Sequence, residues 1–250
     1  SIVIPSMNRK EPLLKTIDKI LNCSTRTAEI IIVDDSTDGS HESIADHYTQ
    51  NAHVIIIHNE KRLGILPSVN LGLGVSVGQY IVMISDDLEV FPEWETNLIF
   101  LLNNEPLCGA VVPLILNPDG TIHRMGTIDG VRSAKYLLPP VYGAMGYNAL
   151  GKKPSEYPEC QWVRECESGQ MYMTTRQMLE KVGGLDERYT KYMADIDFGM
   201  RIRLAGYKVL YCPRSIIKFR EPSSSSHDGD LLRLGIEMHQ KKWETYTVRY

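Results

Sequence analysis

The chain has 250 residues, 43% of them hydrophobic and 23% charged, and carries a formal net charge of −4. That length holds one large or two small domains with a substantial core. The acidic balance argues against a nucleic-acid partner held by phosphate attraction, and no stretch approaches the roughly 18 consecutive apolar residues of a membrane-spanning helix.

In chain order, "SIVIPS" opens as a buried strand stopped by Pro5, without a signal peptide before it. In "EPLLKTIDKIL", Pro12 near the start and apolar residues at 13, 17, 20 and 21 predict a helix. "EIIIVDDSTDGS" is a β-branched run closed by a polar turn, with Ser40 as the expected cap of the next helix. "HVIIIHN" reads as a third strand and "QYIVMIS" as a fourth. Between them Leu66, Val69, Leu73 and Val77 share one helical face. "FPEWETNLIFLLNN" predicts a helix begun at Pro92, "CGAVVPLIL" a strand, and Pro118-Asp119-Gly120 a turn before another strand. Residues 130–160 are rich in Gly, Pro and Tyr and read as a loop insertion. Helices are expected near 175–182 and from about Asp195, then the strand "YKVLYCP"; "EPSSSSHDGD" reads as mobile. Continuous β-branched runs alternating with helices give an α/β fold with a mostly parallel twisted sheet flanked by helices.

The five cysteines, Cys23, Cys108, Cys160, Cys166 and Cys212, are scattered and lack zinc-ligand spacing. They read as buried thiols of a reducing, cytoplasmic chain. The abrupt opening in a strand suggests a domain trimmed from a longer protein, which leaves peripheral membrane association through another part open.

Open α/β sheets bind ligands beyond the carboxyl ends of their strands. Here those ends carry Pro5-Ser6-Met7-Asn8-Arg9, then Asp34-Asp35, then Asp86-Asp87. Carboxylates recurring on one edge stay ionised at neutral pH beside a divalent cation or the donor groups of a ligand. Oxygen-only ligands suit Mg²⁺ or Mn²⁺, and a cation shared with a diphosphate would cancel charge on both sides. The Asp35 carboxylate could accept the imide N–H of uracil or thymine. The plainer alternative is that these Asp residues cap turns and helix starts.

The segments "SIVIPSMNR", "EIIIVDDSTDGS", "NEKRLGILPSVNLGL", "GQYIVMISDDLEVFPEW" and "GGLDERYTKYMADIDFGMRIRLAGYKVLYCP" follow in the order seen in the inverting family 2 glycosyltransferases of GT-A fold, which the chain resembles over residues 1 to 215. The resemblance implies a nucleotide-sugar-binding half over 1–105, an acceptor-binding and catalytic half over 106–215, and a partly mobile tail over 216–250. It implies that Asp35 binds the base of the donor and that Pro5, Ser6, Met7 and Arg9 line the same pocket, with Gly64 also on the donor side. Asp87 would hold Mn²⁺ or Mg²⁺, with Asp86 nearer the ribose or sugar. Asp195, in "ADID", stands in the place of the general base, and a cap of the helix it opens is the compatible plain role. Trp162 and Glu165 precede "SGQMYM", a segment that lines the acceptor cleft in relatives. The implied acceptor is a glycan or a lipid-linked sugar.

The chain also departs from the family pattern. Ser85 replaces a first carboxylate, Ala194 a Glu, and Val69 an Arg. Phe219 stands at the spacing of a metal-binding His, leaving His227 in the serine-rich stretch as the nearest substitute. "HQKKW" is similar to the Gln-x-x-Arg-Trp motif of processive polysaccharide synthases but lacks its Arg. Asp197 and Arg201 have the i, i+4 spacing of a structural ion pair. A nucleotidyltransferase would share the sheet and acidic site but needs a glycine-rich loop after the first strand, where "PSMNRKEP" has none. A non-catalytic sugar- or nucleotide-binding module is the other alternative.

Overall fold

The computed structural model describes residues 1–25, 28–126, 149–166, 168–221 and 229–244. The elements run β1 (Ile2–Ser6), α1 (Lys10–Cys23), β2 (Ile30–Asp34), α2 (Ser40–Tyr48), β3 (Val54–His58), α3 (Ile65–Val75), β4 (Tyr80–Met83), β5 (Leu88–Val90), α4 (Trp94–Asn104), β6 (Cys108–Leu116) and β7 (Ile122–Arg124). Two 3₁₀ turns, Pro154–Glu156 and Pro158–Gln161, lead into β8 (Arg164–Cys166) and β9 (Tyr172–Thr175). Then come α5 (Arg176–Val182), α6 (Ala194–Leu204), β10 (Lys208–Phe219) and α7 (Gly229–Trp243).

All ten strands join one sheet, ordered β3-β2-β1-β4-β9-β6-β10-β5, with β7 on β6 and β8 on β10. The first half, β3-β2-β1-β4, is parallel throughout. Past β4 the sheet is mixed. β9 runs antiparallel to both β4 and β6, and β6 and β10 are parallel. β5 and β8 lie antiparallel to β10, and β7 to β6. The parallel pattern read from the first hundred residues therefore does not extend to the second half.

Successive strand residues point to opposite faces, and both faces are covered. Ile2, Ile4, Ile30 and Ile32 pack with Leu13, Ile17, Ile20, Trp94 and Leu98 of α1 and α4. Val3, Ile31 and Val33 pack with Val69, Leu73, Phe198 and Ile202 of α3 and α6. A strand buried on both sides needs apolar residues at every position, which is why these runs show no alternation. Full burial of Leu13, Ile17 and Ile20 contributes roughly 1.5–3 kcal/mol each, so the spacing seen in α1 is its anchorage. Gly72 lets α3 lie close on β1: a Cβ there would stand 2.4 Å from Val3 Cγ1.

Local expectations differ from the structure in a few places. α3 ends at Val75, so Val77 leaves the helical face and is 81% exposed. The cap of α2 is Gly39, at φ 76°, and Ser40 is the first helical residue, its N–H bonded by the Asp38 carboxylate at 3.0 Å. α4 starts at Trp94, two residues after Pro92. Residues 216–219 complete β10 and 229–243 form a docked helix, so the tail is structured there; the serine-rich segment 222–228 and His227 within it lie outside the described residues, as does most of the 130–160 insertion. All five cysteines are free thiols. Among the described residues no helix is long and apolar enough to cross a membrane.

Candidate active site

The carboxyl ends of β1, β2 and β4 meet at one edge because the strands are adjacent and parallel. Ser6, the last residue of β1, ties the edge together. Its carbonyl accepts the Asp35 N–H at 2.8 Å, and its hydroxyl donates to Asp86 Oδ2 at 2.7 Å. Thr16 of α1 fixes the exit of β4, its hydroxyl lying 2.9 Å from the carbonyls of both Asp86 and Leu88. Asn8, at φ 53°, donates its N–H to Ser36 and accepts from the Thr37 N–H, knitting the 5–9 loop to the turn after β2. Pro5 and Met7 lie half-buried on this loop.

Both oxygens of each carboxylate after β4 have a partner within the protein. Asp86 is 5% exposed; burial drives its carboxyl up to about 6, against the Ser6 bond and the Arg9 charge, which pull it down. Ser85 donates to Asp87 Oδ1 at 2.7 Å. The Arg9 guanidinium reaches Asp87 Oδ2 at 3.1 Å and Asp86 Oδ1 at 3.6 Å. Ser6, Ser85 and Arg9 thus neutralise and orient a like-charged pair that the backbone forces together.

Asp35 is buried and also engaged within the protein. Its Oδ1 accepts from Asn59 Nδ2 at 2.7 Å and Leu63 N–H at 3.3 Å, and its Oδ2 from Gly64 N–H at 2.7 Å. Gly64 sits at φ 92°, a conformation side-chain-bearing residues avoid, which aims its N–H at Asp35. A carboxylate has about four acceptor positions, so Oδ2 keeps one for a further donor. Asp35 and Gly64, paired here, belong to the same predicted donor group.

Asp195 is the second residue of α6 and half-buried; the cap position is Met193, so the capping role does not fall to Asp195. Burial raises its carboxyl pKa, opposed by the charge of Arg124. Tyr172 of β9 holds the Asp195 carbonyl at 2.7 Å. β7 is electrostatically coupled to both acidic groups: Arg124 acts on Asp195, while the adjacent His123, lowered first by burial, feels Asp87. His123 packs edge-on against Phe219, ring centroids 4.6 Å apart. Neither Arg124 nor Tyr172 carries a sequence signal for this role; each comes to the site only through antiparallel pairing in the second half.

The acceptor residues are placed less favourably. Glu165 pairs with Lys208 at 2.9 Å, at the start of β10, whereas the Asp87 carbonyl meets Arg220 just past the strand's other end. The structure therefore does not bring Glu165 to the carboxylates, because β8 pairs with the amino-terminal end of β10. Trp162 precedes β8 and is 65% exposed. The predicted Asp197–Arg201 pair forms, Nε to Oδ2 at 2.9 Å.

Two groups could hold a cation. Asp86 and Asp87 offer only oxygen, the donor set of Mg²⁺ and Mn²⁺. Asp34, His41 and His58 place one ligand atom each within 4.8 Å of one another. In that cluster His58 Nδ1 already bonds Asp34 at 2.9 Å, and the imidazoles stack at 3.7 Å with planes 10° apart. Stacked rings direct their lone pairs along parallel planes, so a cation takes both only after one ring turns. The acidic pair is the better fit for a hard cation.

Residues 1–183 match the sequence pattern of Glycosyl transferase family 2. The chain belongs to this family. Among curated relatives, an uncharacterised protein y4gI of Sinorhizobium fredii is 24% identical over 98% of this chain and 28% of its own length. The N-acetylglucosaminyl-diphospho-decaprenol L-rhamnosyltransferase of Mycobacterium tuberculosis is 26% identical over 81% of this chain and 70% of its own. The chain thus spans well under half of the first relative. The fold of this family 2 member matches GalNAc-T7 solved with UDP, GalNAc and Mn²⁺, with TM-score 0.72 and 18% identity over 98% of this chain and 48% of that one. It also matches the mannosyltransferase PcManGT of Pyrobaculum calidifontis in complex with GDP-Man and Mn²⁺, with TM-score 0.67 and 18% identity over 100% of this chain and 65% of that one. The mixed sheet flanked by helices is that of the GT-A glycosyltransferases.

Proposed function

We propose that this family 2 glycosyltransferase moves a sugar from a nucleoside-diphosphate sugar to a hydroxyl of a glycan or lipid-linked acceptor, with inversion at the anomeric carbon. The observation that carries the reading is the Asp86–Asp87 pair, oriented by Ser6, Ser85 and Arg9 at the edge that also presents Asp35. Asp35 takes the nucleobase through its remaining acceptor position, which favours uracil or thymine, whose imide N–H is a single donor. Pro5, Ser6, Met7, Arg9 and Gly64 line that side. Asp87, with Asp86 beside it, holds the divalent cation; when bound, the cation supplies Lewis-acid stabilisation of the charge on the departing diphosphate. Asp195 accepts the proton of the acceptor hydroxyl as its oxygen bonds to the anomeric carbon, and the electron pair of the breaking C–O bond leaves with the nucleoside diphosphate. Burial raises the pKa of Asp195, which makes its carboxylate a stronger base than a solvated one. The nucleotide and Mn²⁺ named with the solved neighbours, and the lipid diphosphate named for the mycobacterial relative, support the donor, metal and acceptor classes. Trp162, exposed ahead of β8, remains available for sugar stacking.

Thermal stability with UDP, dTDP, GDP and CMP, each with and without Mn²⁺, tests the donor assignment. Ligand at about 100 times its Kd stabilises by roughly 2.7 kcal/mol. A metal-dependent shift with one nucleotide is expected, retained in Asp195→Asn while transfer is lost. No shift with any nucleotide, or full transfer by Asp195→Asn, refutes the corresponding half of the reading.

A further inference from the structure

We propose that Lys242 and Trp243, at the end of α7, lock the turn that carries Asp195, making the last helix a positioning element for the base. The inference rests on the role assigned to Asp195 above. Its starting point is Asp197, two residues on, whose side chain is completely buried. A buried carboxylate needs several strong partners, and only one of them, Arg201, belongs to its own helix. Trp243 Nε1 donates to Asp197 Oδ1 at 3.0 Å, and the Lys242 ammonium pairs with the same oxygen. Lys242 also donates to Asp186 at 2.7 Å, so one ammonium ties both ends of the 186–197 segment. Tyr189, between those ends, reaches His239 of α7 at 3.2 Å.

Apolar packing points the same way. Trp243 belongs to a small cluster with Tyr189, Met193, Ala194, Ile196 and Met200, which includes both neighbours of Asp195 in the chain. Gly235 allows the approach of α7: a Cβ there would stand 3.1 Å from the Tyr192 carbonyl. Met193, immediately before α6, has φ 74° although it is not glycine. Such a conformation costs roughly 1–3 kcal/mol and persists only where the surroundings impose it. Here Asp197 is gripped on one side, Asp186 on the other, and the Trp243 indole lies against the turn between. Among the described residues Asp195 makes no side-chain hydrogen bond to α7, although the charge of His239 acts on it; its direction follows from the backbone that α7 holds. The "HQKKW" stretch thereby has a use unlike glycan binding: its Lys and Trp face inward, onto the second acid of "ADID".

The test uses the full chain with Lys242→Met, Lys242→Arg and Trp243→Phe. Three quantities are measured: amide hydrogen exchange over residues 193–199; the thermal shift with Mn²⁺ and the nucleoside diphosphate that the panel selects; and kcat and KM for release of that diphosphate from its nucleotide sugar with water as acceptor. Displacing a catalytic group by about an ångström costs on the order of 100-fold. Lys242→Met is expected to speed exchange at 193–199 and lower kcat by roughly 10- to 100-fold, with KM and the nucleotide shift unchanged, and Lys242→Arg to restore both. If Trp243→Phe does not fold, the Lys242 variants decide alone. Unchanged exchange or kcat in Lys242→Met, or a loss confined to KM, overturns the lock. Asp195→Asn is the control: normal turnover in that variant removes the base assignment, and exchange in Lys242→Met still tests whether α7 holds the turn.

Discussion

Arg9→Gln probes the charge balance of the donor site most directly. In the structure Arg9 is the cation of the acidic pair, 3.1 Å from Asp87 and 3.6 Å from Asp86. Each contact is worth about 5 kcal/mol by Coulomb's law at an effective dielectric near 20. The guanidinium is 32% exposed, however, and water screens most of that; exposed pairs give about 0.2–1 kcal/mol each, so about 0.4–2 kcal/mol remains for the two together. Arg9 competes with a divalent cation for these carboxylates through Asp87 Oδ2 and Asp86 Oδ1, while Ser6 and Ser85 each take one acceptor position on the other oxygens. Removing the competitor should tighten Mn²⁺ binding without nucleotide by roughly two- to thirtyfold, the equivalent of about 0.4–2 kcal/mol. Once displaced, Arg9 lies on the loop where the donor diphosphate is expected, so the same variant should bind nucleoside diphosphate more weakly when Mn²⁺ is saturating. Free Mn²⁺ counted by electron paramagnetic resonance, and calorimetry with nucleotide, read the two effects. Equal or weaker Mn²⁺ binding in Arg9→Gln refutes the competition.

Other consequences can be checked separately. Asp86 titrates near 6 in the fold against 3.8 unfolded, so the stability that protonation contributes is complete below about pH 4 and lost as pH rises through 6, on the order of 3 kcal/mol. Metal-free urea unfolding should show that trend in the wild type and not in Asp86→Asn, while Mn²⁺ affinity should climb with pH up to about 6. Asp197→Asn leaves Arg201 without its buried counter-charge and Lys242 with Asp186 alone, and should cost about 3–5 kcal/mol in denaturant unfolding. Gly72→Ala drives a methyl to 2.4 Å from Val3 and should cost about 1–3 kcal/mol, read as a lower unfolding midpoint at unchanged slope.

Residues whose role follows from local pattern were legible in the chain. Ile30 to Val33 had to be a strand buried on both faces, and the acids ending β2 and β4 had to fall on one edge because parallel neighbours end together. The α1 spacing of Leu13, Ile17 and Ile20 was equally direct. Long-range pairing was not legible. Nothing in "TIHRM" says that the charges of Asp87 and Asp195 meet on β7, and nothing in "WVREC" says that Glu165 meets Lys208. Ser40 looked like a cap, but Gly39 takes the left-handed turn and Asp38 supplies the acceptor. α7 was hidden for a different reason: its partner, Asp197, looked complete with Arg201 alone, and only burial shows that one cation at i+4 does not satisfy it.

The two acidic centres are therefore held by different means. Asp35, Asp86 and Asp87 stand on the ends of parallel strands, fixed by ladders to both sides and by bonds within the edge itself. Asp195 stands on a helix start whose preceding residue is in an unfavourable conformation, and its supports, Tyr172, Arg124 and the α7 contacts, come from well-separated parts of the chain. The proposed donor side is accordingly built into the sheet, whereas the proposed base is held by side-chain packing and ion pairs. Damage to the second group should leave the first intact. Nucleotide and metal binding should survive substitutions around Asp197 that fold, and the loss should fall on the proton transfer. Ser6 serves both proposed donor-side groups, but separably: Ser6→Ala removes the hydroxyl bond to Asp86 and keeps the carbonyl bond to Asp35, so the proposed metal pair should loosen while the proposed nucleobase pocket is spared.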